Sequence, residues 1–151
     1  MKYYRVNINN FSIYVYEEKG YLYRISFYDL HQGIEQESPL LIKVSQQIKE
    51  YFEGKRKEFD DFPKIINCTN LQKKIYENLS KVEYGKTISY INLGRLVSNK
   101  NISRIVGSAM KNNPFPIIWP CHRVIKNNGD IGYYNGPKGL KEYLLKLENS
   151  L

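Results

Sequence analysis

The sequence has 151 residues, of which 42% are hydrophobic and 25% charged, a composition typical of a globular protein with one domain or two small lobes. No apolar run approaches the ~20 residues needed to span a bilayer, and the first residues lack the apolar core of a signal peptide, so neither a membrane protein nor a secreted one is expected. Two cysteines, Cys68 and Cys121, form no disulfide framework and indicate a reducing, cytoplasmic compartment; a bridge between the two is left open.

The net charge of +8 belongs to the second part of the chain. Residues 1–60 carry nine Lys and Arg against nine Asp and Glu, whereas residues 61–151 carry fourteen against six. A one-sided basic lobe is typical of a protein with a polyanionic partner, and it favours DNA or RNA over a membrane surface. Basic charge alone is nonspecific, so the choice of partner depends on the motifs.

The first third of the chain is predicted to form short strands followed by one helix. Apolar and polar residues alternate up to Val15, and Gly20 separates this run from a second over residues 21–27, which predicts a hairpin or a three-stranded antiparallel sheet. After Pro39, apolar residues at helical spacing stop at Gly54 and predict a helix. The charged, irregular stretch that follows predicts a boundary, with a first lobe over residues 1–60 and a linker over residues 61–68.

The remaining residues, 69–151, are predicted to be mainly helical. One helix is expected over residues 71–79. Ser89 can cap a second over residues 90–97, and Asn101 can cap a third over residues 102–111. The last two are separated by a tight turn and would form a helix-turn-helix, although packed helix pairs that bind no DNA share this pattern.

The helix predicted over residues 102–111 has two contrasting faces. The face that should pack inward repeats at helical spacing and consists of Ile102, Val106, Ala109 and Met110. The opposite face carries two cations and two small residues, namely Arg104, Gly107, Ser108 and Lys111. Glycine costs roughly 1 kcal/mol against alanine within a helix, so Gly107 favours a face that a phosphate strand approaches closely. We therefore predict that this face contacts DNA.

A lone thiol follows a proline-rich apolar run in the sequence Asn113-Pro114-Phe115-Pro116-Ile117-Ile118-Trp119-Pro120-Cys121-His122-Arg123-Val124. Each proline pushes the preceding residue toward extended geometry, which predicts a non-helical segment. An ordinary cysteine, with a pKa of about 8.5, is mostly protonated at neutral pH, so a reactive one needs a base. Neighbours in an extended segment point to opposite sides, so we expect His122 to reach Cys121 through a water. Without its neighbours Cys121 would be interpreted as a buried, inert thiol; with Pro120, His122 and Arg123 beside it, a reactive thiol is favoured.

This run resembles the active-site signature of the O6-alkylguanine-DNA alkyltransferase family, N-P-x-x-I-x-x-P-C-H-R-V, and the resemblance extends over residues 69–148. It implies an α+β fold, with a ribonuclease H-like lobe of a small antiparallel sheet and helix, then a helical lobe with a winged helix-turn-helix. It also implies direct DNA repair without a cofactor. A monomer would flip O6-alkylguanine out of duplex DNA and transfer the alkyl group irreversibly, once, to its own Cys121. Outside the signature the chain has one histidine, His31, and one cysteine, Cys68. These are too few to form a zinc site, so no metal is expected.

The resemblance assigns catalytic roles to five residues. Cys121 would accept the alkyl group, His122 would act through water as its base, and Glu148 would orient His122. Asn113 would brace the active-site turn. Tyr90 would assist rotation of the DNA phosphate and donate a proton to the leaving guanine.

The resemblance also implies a DNA surface and a base pocket. Arg104 would fill the gap left by the flipped nucleotide, on a helix that enters the minor groove with the small residues Gly107, Ser108 and Ala109, and Lys111 and Tyr90 would add contacts. The pocket for the flipped base would consist of Tyr134, Asn135, Gly136 and the backbone of Val124. Three positions depart from the family pattern: Leu71 replaces a phenylalanine, Trp119 an aliphatic residue and Asn135 a common serine.

Three other functions compete with this interpretation. The alkyltransferase-like proteins flag lesions without repairing them, but they lack the cysteine that this chain keeps. A cysteine hydrolase or acyltransferase would need a histidine from elsewhere in the fold, and only His31 is available. In a plain DNA-binding regulator, Cys121 would have no chemical task.

Overall fold

The computed structural model describes residues 1–151, and the contacts within it divide the chain into two units, Met1–Asn67 and Cys68–Leu151. The fold is α+β, as predicted, and comprises six strands and five α-helices. None of these helices is long and apolar enough to cross a membrane.

The first unit consists of a four-stranded sheet and one helix. Strands β1 (Lys2–Ile8), β2 (Phe11–Glu18) and β3 (Tyr21–Ser26) form the expected antiparallel arrangement, and β4 (Ile34–Glu35) pairs in parallel with β1. Helix α1 (Pro39–Phe52) begins where the Ser38 hydroxyl accepts a hydrogen bond from the Leu41 amide. Its buried stripe packs with the inward residues of the sheet to form the core, which includes Val6, Ile13, Val15, Leu41, Val44 and Ile48.

The second unit contains four helices and a two-stranded parallel pair. In chain order it consists of α2 (Asn70–Leu79), β5 (Ile88–Ser89), α3 (Tyr90–Arg95), α4 (Ser103–Lys111), β6 (Val124–Ile125) and α5 (Leu140–Leu147). Ser89 caps α3 as predicted, with its hydroxyl accepting from the Asn92 amide. Helix α5 starts at Leu140, directly after Gly139, which adopts a left-handed φ of 83°.

Helices α3 and α4 pack closely, as a helix-turn-helix requires. A Cβ atom at Gly94 of α3 would lie 2.9 Å from Cγ1 of Ile102, so any larger residue there would force the Ile102 side chain to shift. The inward face of α4 is buried as predicted, with Val106 and Ala109 fully enclosed. The core of this unit consists of Ile75, Tyr76, Leu79, Leu93, Val106, Ala109, Met110, Cys121 and Val124. Cys121 therefore lies where the helix pair meets the rest of the unit.

Candidate active site and DNA-binding surface

Cys121 lies in a 3₁₀ turn, Cys121–Arg123, and not in the extended segment predicted from the prolines. Pro120 has φ −79° and ψ 65°, and the Cys121 amide donates to the Trp119 carbonyl at 2.8 Å, which is the geometry of an inverse γ-turn. A proline restricts its own φ and the residue before it, but leaves the residues after it able to turn. The prediction of extended geometry past Pro120 was therefore wrong.

Asn113 connects the two ends of the loop that leads to Cys121. Its Nδ2 donates to the Trp119 carbonyl at 2.8 Å, and its Oδ1 accepts from the Phe115 amide at 3.0 Å. Between these points Ile117 adopts a φ of 76°, a left-handed conformation that is unfavourable for a β-branched residue. The bonds of Asn113 and the burial of Ile117 hold this strained turn in place.

Trp119 forms the wall behind the turn. Its ring stacks on Tyr76 with centroids 4.9 Å apart and meets the edge of Phe115 at the same distance. The Tyr76 hydroxyl in turn donates to the Ala109 carbonyl at 2.8 Å. Ala109 has no exposed surface, so its predicted side-chain contact with DNA is wrong: it lies on the core face of α4.

A buried network surrounds the histidine that follows the thiol. Nε2 of His122 lies 2.8 Å from Oε2 of Glu148, and both side chains are fully buried. Arg123 donates to both oxygens of the same carboxylate, through Nε at 2.8 Å and Nη2 at 2.9 Å, and its Nη1 donates to the Val82 carbonyl. A carboxylate only accepts, so Nε2 carries the proton of a neutral imidazole and Nδ1 is the nitrogen that can act as a base.

The network sets the charge state of His122. Burial lowers its pKa most strongly, the Glu148 carboxylate opposes this, and the positive charges of Arg123 and Lys141 lower it further. The imidazole is therefore neutral at neutral pH and able to take a proton. The bidentate guanidinium of Arg123 also balances the buried charge of Glu148.

Cys121 is 5% exposed, and burial raises the pKa of its thiol. Hydrogen bonding with Asn113, the positive charge of Lys141 and hydrogen bonding with Tyr134 all act in the opposite direction, but burial outweighs them. The sulfur therefore keeps its proton at neutral pH until a base removes it. Nucleophilic attack by this sulfur therefore needs a base, and the neutral imidazole of His122 is the candidate.

Lys141 is the residue at the site that the sequence analysis missed. Although 2% exposed, it donates from Nζ to the Val124 carbonyl at 2.6 Å and to the Tyr133 carbonyl at 3.3 Å. Burial lowers its pKa from 10.5 to about 8, against the opposing effects of Cys121 and Glu142. A sequence signal existed, because Lys141 lies at helical spacing from the buried Leu144 and Leu145 and so on the inward face of α5.

The lowered pKa of Lys141 predicts a pH-dependent stability. Between pH 8 and 10.5 the unfolded chain holds this proton more than the folded one, so the free energy of unfolding should rise with pH by up to about 3 kcal/mol from this group. In Lys141→Met this contribution should vanish, and the exposed-lysine variant Lys146→Met should retain it. Urea unfolding at pH 7 and pH 10 measures both differences; equal pH dependence in Lys141→Met and wild type would contradict the prediction.

A small pocket opens in front of the thiol. It has a volume of about 10 Å³ and is lined by Tyr90, Gly107, Met110, Lys111, Cys121, Tyr133, Tyr134 and Asn135. Three predicted pocket or catalytic residues, Tyr90, Tyr134 and Asn135, thus lie together with Cys121. Gly136 follows in the same loop without lining the pocket.

Val124 is not among the residues that line this small pocket, and its contribution to the pocket of a flipped base stays a prediction. Its side chain is fully buried in the core, its amide donates to the Cys121 carbonyl, and its carbonyl accepts the ammonium of Lys141. Both polar groups of its backbone therefore have a partner within the protein, and the carbonyl oxygen can still accept a second hydrogen bond.

The outer face of α4 is exposed and basic. Arg104, Ser108 and Lys111 point to solvent, and no atom lies within 4 Å of the position that a side chain at Gly107 would take. A polyanion can therefore approach the helix backbone closely at Gly107. Gly107 and Lys111 also line the pocket, so the basic face and the reactive thiol are adjacent.

Comparison with known proteins agrees with this geometry. Residues 70–150 match the family model described as "6-O-methylguanine DNA methyltransferase, DNA binding domain". The constitutive methylated-DNA–protein-cysteine methyltransferase of Bacillus subtilis is 39% identical over 113 residues, which are 74% of this chain and 68% of that protein. The "DNA base-flipping protein" of Thermus thermophilus is 37% identical over 123 residues, 80% of this chain and 81% of the relative.

A solved structure shares the complete fold. The crystal structure of Mycobacterium tuberculosis OGT in complex with DNA superposes with a TM-score of 0.88 at 27% identity, covering 99% of this chain and 94% of the other. The matched family model includes the helix pair, the Cys121 turn and the Glu148 network. The chain belongs to the methylated-DNA–protein-cysteine methyltransferase family.

Proposed function

We propose that this protein repairs DNA directly by transferring the alkyl group of O6-alkylguanine to its own Cys121. The observation that carries the proposal is a buried thiol at the base of a pocket, one residue from a neutral imidazole that a buried carboxylate orients. The basic face of α4 borders the same pocket and supports duplex DNA as the partner. The protein would act in the cytoplasm, and at the nucleoid if the cell is prokaryotic.

The reaction is a displacement at the alkyl carbon. The Cys121 proton passes through a water to Nδ1 of His122, and the sulfur forms a bond to the alkyl carbon while the bond from that carbon to O6 breaks. The electron pair of the broken bond stays with guanine. Burial raises the pKa of Tyr90, so its phenol remains protonated and can donate to the departing base. The product is a thioether at Cys121, which no ordinary reductant reverses, so each molecule acts once.

The DNA must present the base before this chemistry can occur. A stacked guanine hides its O6 substituent from in-line attack, so the nucleotide has to rotate out of the duplex at a cost of a few kcal/mol. Arg104 is an exposed cation on α4 and is our candidate for the side chain that occupies the vacated space. Gly107 and Ser108 would allow the helix to lie close to the backbone in a narrow groove.

Lesion binding without transfer is the second candidate function, favoured by the likeness to the Thermus thermophilus base-flipping protein. The two functions differ in whether Cys121 reacts. A duplex with one O6-methylguanine in a restriction site distinguishes them, because transfer restores cleavage in proportion to the protein added, up to one site per molecule. Cys121→Ala should bind the duplex and restore no cleavage. Binding by the wild type with no restored cleavage would establish the second function instead.

Arg104→Ala is expected to slow transfer from a lesion in duplex DNA by about 10- to 100-fold, because it removes a contact that offsets the cost of base rotation. Transfer from the same lesion in single-stranded DNA should fall much less, since no base pair has to open. Single-turnover rates on both substrates measure the effect. Lys74→Ala, which removes an exposed cation of α2, is the control and should leave both rates within twofold. Equal losses on the two substrates would rule out the proposed role of Arg104.

A further inference from the structure

The pocket in front of Cys121 is closed in this structure. A volume of about 10 Å³ accommodates roughly one water molecule. Cys121 itself is only 5% exposed, so a flipped base can reach the sulfur only if the residues that line the pocket move aside. The side of the pocket contributed by Tyr133, Tyr134 and Asn135 belongs to an irregular loop between β6 and α5. This loop is the element whose displacement would open the site.

One hydrogen bond fastens this loop to the DNA-binding helix. Nδ2 of Asn135 donates to the carbonyl of Lys111 at 2.9 Å. Lys111 is the last residue of α4, so its carbonyl has no partner within the helix. The Tyr133 hydroxyl donates to Oδ1 of Asn135 at 3.4 Å, which sets the orientation of the amide. We call the Asn135–Lys111 bond the Asn135 latch.

The latch connects the pocket with the basic face through a single residue. The carbonyl of Lys111 holds the loop, while its side chain is exposed on the face proposed to contact DNA. A phosphate strand placed along α4 would lie beside the latch and could compete for the exposed amide of Asn135. Serine, which the family commonly has here, ends one bond closer to the backbone and lacks this reach.

We propose that Asn135 determines substrate class: the latch keeps the loop closed over Cys121, excludes free modified bases and other small electrophiles, and releases when duplex DNA occupies α4. This inference deepens the proposed function, yet access to the thiol can be measured without any alkyl transfer from DNA. The simpler alternative is that Asn135 only caps the C-terminal end of α4.

Asn112 provides the matched control for that alternative. Its Nδ2 donates to the Ser108 carbonyl at 2.9 Å, so it too caps the end of α4, but its side-chain hydrogen bonds go to Ser108 and not to the loop. Asn135→Asp keeps the shape of the side chain while replacing the donor with a carboxylate that repels the Lys111 carbonyl. Asn135→Ser shortens the side chain, so that it no longer reaches the Lys111 carbonyl, and adds no charge. It is the variant to test if Asn135→Asp folds poorly.

The first test is the rate at which iodoacetamide modifies Cys121, followed by intact mass in a Cys68→Ser background. Loss of one exposed hydrogen bond should raise this rate by about 2- to 10-fold in Asn135→Asp and Asn135→Ser. Asn112→Ala should match the parent within a factor of about 1.5. Unchanged rates in the Asn135 variants, or an equal rise in Asn112→Ala, would overturn the proposal.

The second test compares transfer from free O6-benzylguanine with transfer from O6-methylguanine in duplex DNA. The Asn135 variants should gain about 2- to 10-fold on the free base relative to the duplex, so the ratio of the two rates shifts. An unshifted ratio would refute the role in specificity. If the wild type transferred from neither substrate, the proposed function would fail, and the iodoacetamide rates would still decide whether the latch controls access.

Discussion

His122→Gln is expected to slow alkyl transfer by about 100- to 10,000-fold, the range that a positioned general base contributes. Glutamine can still donate to Glu148 but cannot take the thiol proton, and the raised pKa of Cys121 leaves little thiolate without a base. Single-turnover rates on lesion-containing duplex, with DNA affinity as the control, measure the loss. Affinity should change less than threefold.

The pH profile provides an independent check on the same variant. Because burial lowers the pKa of His122 below its ordinary value, wild-type transfer should stay high through pH 6.5 and fall only in more acidic solution, where the imidazole gains a proton. His122→Gln should lack this acidic decline. A variant that kept both the rate and the decline would remove His122 from the mechanism.

Glu148→Gln is expected to lower the free energy of unfolding by about 3–5 kcal/mol, because it leaves the guanidinium of Arg123 buried without its carboxylate. For a chain of this length that corresponds to a melting temperature lower by about 6–20 °C. Thermal and urea unfolding measure the change. Transfer should also slow, since His122 loses the group that fixes its tautomer.

Two further variants separate charge from local packing. The double variant Arg123→Met with Glu148→Gln removes both charges and should recover part of the lost stability. Glu77→Gln changes an exposed carboxylate of α2 and should stay within about 0.5 kcal/mol of wild type. If Glu148→Gln lowered the free energy of unfolding by less than about 1 kcal/mol, the buried network would contribute little to stability.

Local patterns predicted the elements well, because their causes are local. Apolar and polar residues alternate in residues 1–27 because one face of the sheet is buried. Val106 and Ala109 are three positions apart because both lie on the face of a helix that packs on the core. Ser89 was recognisable as a cap because capping involves residues three positions apart. The buried and the exposed face of α4 were predictable for the same reason, because both follow from the helical repeat within one short segment.

Local sequence patterns did not predict contacts between residues that are far apart in the chain. Glu148 lies 26 positions from His122, and Asn135 lies 24 from Lys111, so spacing alone could not pair them. The resemblance to a family predicted the pairing of Glu148 with His122, but no observation on the sequence predicted the hydrogen bond from Asn135 to Lys111. The turn at Cys121 was mispredicted because a proline informs only about itself and the residue before it.

Intact-mass spectrometry after mixing the protein with duplex DNA containing one O6-methylguanine tests the central claim most directly. We expect each protein molecule to gain one methyl group in place of a hydrogen, mapped by peptide analysis to Cys121. Lesion-free duplex and Cys121→Ala should give no gain. An unmodified protein that still binds the lesion, or a methyl group located on Cys68, would contradict transfer to Cys121.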